Sequence, residues 1–137
     1  MSPNVEPSVR VAMASHAQEA APHEAVGLVL GTVGRGTEYA RLRNTSEAPE
    51  RSFTIDPLEF VRVEGAARDR GLRVLGLFHA HPGGEPLPSP TDCSQTWPGE
   101  WCWIGALGSG GSFDLRAFPL DGCRIRPAAA RDQNRIV

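Results

Sequence analysis

Leu72-Arg73-Val74-Leu75-Gly76-Leu77-Phe78-His79-Ala80-His81 is the stretch that decides the fold. Apolar side chains fall in both of its alternating sets, so it reads as a core strand with neither face left to solvent. Ala25-Val26-Gly27-Leu28-Val29-Leu30 has the same character and supplies a second central strand. Before it, residues 5 to 20 read as a helix, with Pro7 near the start and Val9, Met13 and Ala17 at four-residue spacing. Pro22 stops that helix. Gly31 to Gly36 is a turn into a further strand, Glu38 to Arg43, and the polar run Asn44 to Arg51 is a loop.

Asp56-Pro57 is an N-cap followed by proline at the first helical position. The helix it opens carries Phe60, Val63 and Ala67 on one side and should end at Gly71. A Gly/Pro-rich loop spans Pro82 to Pro88, and Ser89-Pro90-Thr91-Asp92 has the form of a helix start. Trp101 to Leu107 and Asp114 to Leu120 are strand-like runs joined by a Gly/Ser turn. The sum is an α/β (α+β) chain: one domain over residues 1–126, a curved mixed sheet with two or three helices, then a loose tail at 127–137.

Composition narrows the function. The 137 residues are 40% hydrophobic and 22% charged, a globular balance. A formal charge of −2 gives no general attraction to phosphate backbones, so no nucleic-acid partner is expected. The longest apolar run, Ala25 to Gly31, is far below the roughly 20 residues that span a bilayer, and the first residues have no secretory character. A cytoplasmic protein with no membrane partner is the expectation. Three cysteines (Cys93, Cys102, Cys123) do not suit a disulfide framework, although a local Cys93–Cys102 bridge stays open. All 14 basic residues are arginine, which leaves no lysine to accept an isopeptide bond.

The chemistry lies at the end of the second core strand. Alternate residues of a strand face one way, so His79 and His81 present both imidazoles on one side while Phe78 and Ala80 pack inward on the other. Side-by-side imidazoles suit a divalent ion such as zinc, or else form a hydrogen-bonded pair. Gly83 and Gly84 let the chain turn back, so Asp92 can join the histidines; its competing role is the reciprocal partner of Ser89 in a capping box. A His-His-Asp set leaves one tetrahedral position for water, the pattern of a catalytic site. Hydrolysis then needs a proton carrier that is not a ligand. Glu24, just before the other core strand, fills that role if the two strands are neighbours; otherwise it is a solvated charge.

Together, Glu24 before its apolar glycine-containing strand and His79-x-His81-x7-Ser89-x2-Asp92 closely resemble the JAMM (MPN-plus) metalloproteases, over roughly residues 8 to 120. The resemblance implies one zinc per chain held by His79, His81 and Asp92, Glu24 as general acid/base, and Ser89 stabilising the tetrahedral intermediate. It further implies cleavage after the C-terminal glycine of a ubiquitin-like or sulfur-carrier protein by a compact prokaryotic enzyme, monomeric or a homodimer. Ala80 and Val26 depart from the residues common in the family, at positions that contribute no ligand. Two other readings accompany it: a non-catalytic protein-binding scaffold, and the RadC-like branch associated with DNA repair, which His81-Pro82-Gly83-Gly84-Glu85-Pro86 resembles.

Other signals carry less. His23-Glu24 does not continue as H-E-x-x-H because position 27 is glycine, and the glycines at 31, 34 and 36 do not make a phosphate-binding fingerprint. Trp101 and Trp103 read as core, and His16 and His23 as boundary residues. Leu87 and Trp97 flank the site, with burial or contact with a substrate tail as their roles. Arg124, Arg126, Arg131 and Arg135 are a basic cluster suited to a solvated tail.

Overall fold

Proline and capping residues start the helices where the sequence places them. In the computed structural model, which describes residues 3–134, helix α1 (Pro7–Ala20) takes proline at its first position, where no N–H is needed. Val9, Met13 and Ala17 form its buried stripe. Helix α2 (Pro57–Asp69) is capped by Asp56, whose carboxylate accepts from the Leu58 N–H at 2.9 Å. Gly71 ends it at φ +77, a left-handed conformation that glycine adopts without strain. The third helix, α3 (Pro90–Ser94), is a single short segment.

The strands are β1 (Asn4–Val5), β2 (Val26–Thr32), β3 (Arg35–Leu42), β4 (Arg73–His81), β5 (Trp101–Leu107), β6 (Phe113–Asp121), β7 (Arg124–Ile125) and β8 (Arg131–Asp132). They form one mixed sheet in the order β1-β3-β2-β4-β5-β6-β7, with β8 also paired to β6. The two fully apolar strands lie at its centre: β2 and β4 run antiparallel with Val26 opposite His79, and β4 and β5 run parallel with His79 opposite Ile104. Loop 82–89 and α3 lie within the crossover that this parallel pairing requires.

Each face of the sheet carries its own core. Val29, Phe78, Ala80, Trp103 and Leu115 pack with the α1 stripe on one side. Val26, Leu28, Leu77, Ile104 and Phe118 pack with Ala67 of α2 and with Trp97 on the other. Burying one such large side chain is worth about 1.5–3 kcal/mol, so these two layers hold the central strands rigidly. His79 points into the second layer, against Phe53 and Trp97.

One expectation changes. Residues 127–134, read from the sequence as a loose tail, are docked: Arg131–Asp132 pairs with β6, and the Gln133 N–H donates to the Leu115 carbonyl at 3.0 Å. The physical reason is Asn134, whose Oδ1 accepts from the Leu115 N–H at 2.7 Å while its Nδ2 donates to Asp114 at 2.6 Å. The side chain thus satisfies polar groups along β6 that sequence periodicity cannot reveal. Arg135, the last member of the basic cluster, lies outside the described residues with 136 and 137. All three cysteines are free thiols, with Cys102 in the core. No helix among the described residues is long and apolar enough to cross a membrane.

Candidate active site

Antiparallel pairing of β2 and β4 brings the residue before one strand to the last residues of the other. The Ala80 N–H donates to the Ala25 carbonyl at 3.0 Å, which sets Glu24 beside His81. A carboxylate oxygen of Glu24 and one nitrogen each from His79 and His81 lie within 4.8 Å of one another, an arrangement that could hold a metal ion. Asp92 arrives from α3: its Oδ2 is 3.2 Å from His79 Nε2 and 3.4 Å from His81 Nε2. Four side chains from three separate segments thus converge at one end of β4.

Ser89 completes the group. Its Oγ accepts from the Asp92 N–H at 3.0 Å, and its N–H donates to Asp92 Oδ2 at 2.9 Å. The capping box and the approach to the histidines, competing readings of Asp92 in the sequence, are therefore both present in one carboxylate. Because Oγ is only an acceptor in the cap, the Ser89 O–H remains available to donate.

The histidines are oriented as ligands. His81 Nδ1 is 2.9 Å from the Glu85 carbonyl, which can only accept, so Nδ1 carries the hydrogen and the neutral ring presents a bare Nε2 to the site. Two acceptors, that Nε2 and Asp92 Oδ2, then face each other and need a proton or a cation between them. His79 is fully buried with no partner for its Nδ1, and burial pushes its pKa down, which favours the neutral ring that binds metals. Hard carboxylate and borderline imidazole donors in this number suit zinc.

The pKa values of the two carboxylates are shifted in opposite directions. Glu24 is raised to about 7, first by burial and further by the Asp92 charge, with His81 opposing. Burial also works against the Asp92 charge, but the His79 and His81 rings, which donate to it when protonated, and the Ser89 N–H outweigh it and hold the carboxyl far below the usual range. Burial opposes charge on His81 as well, yet its bonds to Asp92 and Glu85 leave its pKa raised. Asp92 is thus a fixed anion. Glu24 is poised to exchange protons near neutrality.

All five residues singled out in the sequence meet here. Trp97, which the sequence places beside the site, and Phe53 and Asn44, which it leaves unmarked, form the surroundings. Trp97 stacks on His79 with ring planes 4° apart, and Phe53 packs against both. The Trp97 Nε1–H donates to the Asp92 carbonyl at 3.1 Å. Asn44 donates to the Glu24 carbonyl at 3.0 Å. Proximity to the motif hinted at Trp97 alone, and nothing in the sequence pattern marks Phe53 or Asn44. A cavity of about 430 Å³ opens beside Glu24, walled by His23, Arg41, Arg43 and Glu59. Another, about 460 Å³, lies between β1 and residues 132–133 and shares no lining residue with the histidine cluster.

The sheet and this cluster define a JAMM-type metal-site fold, and comparison with known proteins agrees. Residues 6–120 match the family described as prokaryotic homologs of the JAB domain. The chain is 33% identical over 97 residues to a desampylase of Haloferax volcanii, covering 66% of this chain and 70% of that one. It is 35% identical over 108 residues to a probable TtuB-protein conjugate cleaving protease of Thermus thermophilus, covering 77% and 68% respectively. Among solved structures, a protein from Desulfitobacterium hafniense superposes with a TM-score of 0.79 at 24% identity, over 94% of this chain and 89% of that one. A JAB1/MPN domain protein from Archaeoglobus fulgidus gives 0.61 at 19% identity, over 91% and 94%; both likenesses concern the fold. The chain belongs to the prokaryotic JAB-domain family, the compact branch of the JAMM/MPN proteins, and is a hydrolytic enzyme of that type.

Proposed function

We propose that this protein is a zinc-dependent peptidase or isopeptidase that hydrolyses the bond after the C-terminal glycine of a ubiquitin-like or sulfur-carrier protein. The observation that carries the proposal is the convergence of Glu24 and Asp92 on the two imidazoles of β4, with the Glu24 pKa raised and that of Asp92 lowered by their surroundings. The names of the relatives from Haloferax volcanii and Thermus thermophilus supply the substrate class.

His79, His81 and Asp92 hold the metal in this reading, because Asp92 is the carboxylate that stays ionised. The chemistry available from a zinc ion held by these residues would be Lewis-acid polarisation of the scissile carbonyl and a lowered pKa for water. Glu24 accepts the proton of the attacking water and returns it to the departing amine, so the C–N bond is replaced by a C–O bond with no net proton change in the site. The Ser89 O–H donates to the oxygen on which negative charge develops. A glycine tail suits a site whose ligands sit at the end of a buried strand, because a backbone without side chains can come close to them.

Zinc content and cleavage of a TtuB–protein conjugate test the assignment together. Glu24→Gln should keep one zinc per chain and lose cleavage, whereas Asp92→Asn should lose both. A Glu24→Gln protein that still cleaves, or that no longer holds zinc, would overturn the division of roles.

A further inference from the structure

A proton carrier must be placed to within a fraction of an ångström, yet Glu24 lies outside the sheet that fixes the histidines. Its two main-chain groups bond instead to the loop between β3 and α2. The Glu24 N–H donates to the Pro49 carbonyl at 2.7 Å, and the Glu24 carbonyl accepts from Asn44 Nδ2 at 3.0 Å. What fixes Glu24 is therefore whatever fixes this loop.

That is again Asn44. Its Nδ2 also donates to the Ser52 carbonyl at 3.0 Å and lies 3.5 Å from the Pro49 carbonyl. Its Oδ1 accepts from the N–H groups of Ser46 at 3.0 Å and Thr54 at 3.2 Å. Carbonyls surround one end of the amide and N–H groups the other, so its orientation is fixed by its partners. Asparagine alone among residues of this size supplies both arms. The same loop delivers Phe53 to the His79 ring, 4.8 Å between centroids.

We infer that Asn44 is the positioning residue for the general base: its amide clamps loop 44–54 onto the main chain of Glu24 and so sets where the carboxylate stands. The inference rests on the reading of Glu24 as general acid/base. Asn44 touches no reacting atom and acts only through Glu24.

The test compares Asn44→Ala, Asn44→Asp, Thr45→Ala and Glu24→Gln in the zinc-loaded protein, with a TtuB–protein conjugate as substrate. Both Asn44 variants should lower kcat about 10- to 100-fold, as displacement of a catalytic group does. KM should stay within about twofold and zinc content at one per chain, since substrate contacts and ligands are untouched. Thr45→Ala removes a hydroxyl bond to the Thr54 carbonyl within the same loop, and should leave kcat unchanged. Amide hydrogen exchange of the metal-free protein gives a readout independent of turnover. Exchange at the Glu24 N–H should rise about tenfold or more in Asn44→Ala, while Leu28 and Leu77 stay protected. If the alanine variant does not fold, Asn44→Asp, which keeps the volume and the acceptor arm, carries the same measurements. Wild-type kcat in the Asn44 variants, an equal loss in Thr45→Ala, or faster exchange throughout β2 would each overturn the inference. Glu24→Gln separates the two failures. A cleaving Glu24→Gln protein refutes the base itself, whereas an inactive one beside a fully active Asn44→Ala refutes only the positioning.

Discussion

Trp97 lies flat on His79, with ring planes 4° apart and centroids separated by 5.6 Å, while its indole N–H donates to the Asp92 carbonyl. One buried side chain thus braces a candidate ligand through its face and another through its edge. Trp97→Ala should cost about 3–5 kcal/mol in urea unfolding of the metal-free protein, as expected for a large core truncation. It should also weaken zinc binding about 10- to 100-fold in a chelator competition, the usual effect of losing a partner that orients a ligand. Trp97→Phe retains a ring against His79 and loses the indole donor, so it should fall between the two. Equal zinc affinity in all three proteins would show that the stack contributes packing alone.

His16 and Glu24 give the metal-free protein opposing pH dependences. His16, which shares a 2.6 Å hydrogen bond with Tyr39, is lowered to about 4, chiefly by burial. The folded state therefore binds fewer protons here than the unfolded chain, and this contribution is lost as pH falls from 6.5 towards 4. Glu24, raised to about 7, has the reverse sign: the folded state holds its proton longer, and stability declines as pH rises from 4.5 to 7. Both groups are partly screened by solvent, so each contributes on the order of 1–2 kcal/mol. Relative to wild type, Glu24→Gln should make stability rise more steeply with pH between 4.5 and 6.5, and His16→Gln should make it rise less, both readable from denaturant midpoints.

Gly76 and Gly27 sit in the two central strands and should respond differently to a methyl group. A Cβ at Gly76 would stand 1.7 Å from the Trp101 carbonyl oxygen, a backbone atom of the paired strand that cannot move alone. Gly76→Ala should therefore break the β4–β5 pairing, and no cooperative unfolding transition should remain. At Gly27 the obstacle is the Tyr39 ring, 2.4 Å away. Gly27→Ala should cost about 1–3 kcal/mol, as overpacking does. Adding Tyr39→Leu should return part of that loss, which a double-mutant cycle in urea would measure.

Ser89 serves a helix terminus and, in the mechanism proposed here, the developing oxyanion. Ser89→Ala should lower stability by about 1 kcal/mol through the lost cap. It should lower kcat by about 10²- to 10³-fold through the lost donor. Ser89→Thr keeps the hydroxyl and should restore most of both. Recovery of stability without recovery of turnover would mean that hydroxyl placement, and not its presence, limits the rate.

Legibility in the sequence followed the range of the interactions. The central strands declare themselves because both alternating sets of side chains are apolar, and His79 and His81 share a face by the period of the strand alone. Ser89 and Asp92 are legible because a capping box is a local device with fixed spacing. Asn44 is not, because its importance comes from partners that the folded loop brings to it, including the Glu24 carbonyl twenty positions earlier. Phe53 looks like any aromatic residue until the fold gathers its ring with those of Trp97 and His79. The docking of residues 131–134 onto β6 depends on one side-chain amide, and a polar, proline-containing segment gives no sign of it.

The pairing of Val26 with His79 makes the arm from Glu24 to Gly27 intolerant of any change in length. A single residue added or removed there would pull Glu24 off its bonds to Pro49 and Asn44 while the strand held its register against His79. Loop 82–88 is under no such period, and its backbone can be redrawn so long as Glu85 still meets His81 and Asp92 still reaches both histidines. Length is thus free to vary in that connecting segment, whereas the reach from base to imidazole is a fixed ruler.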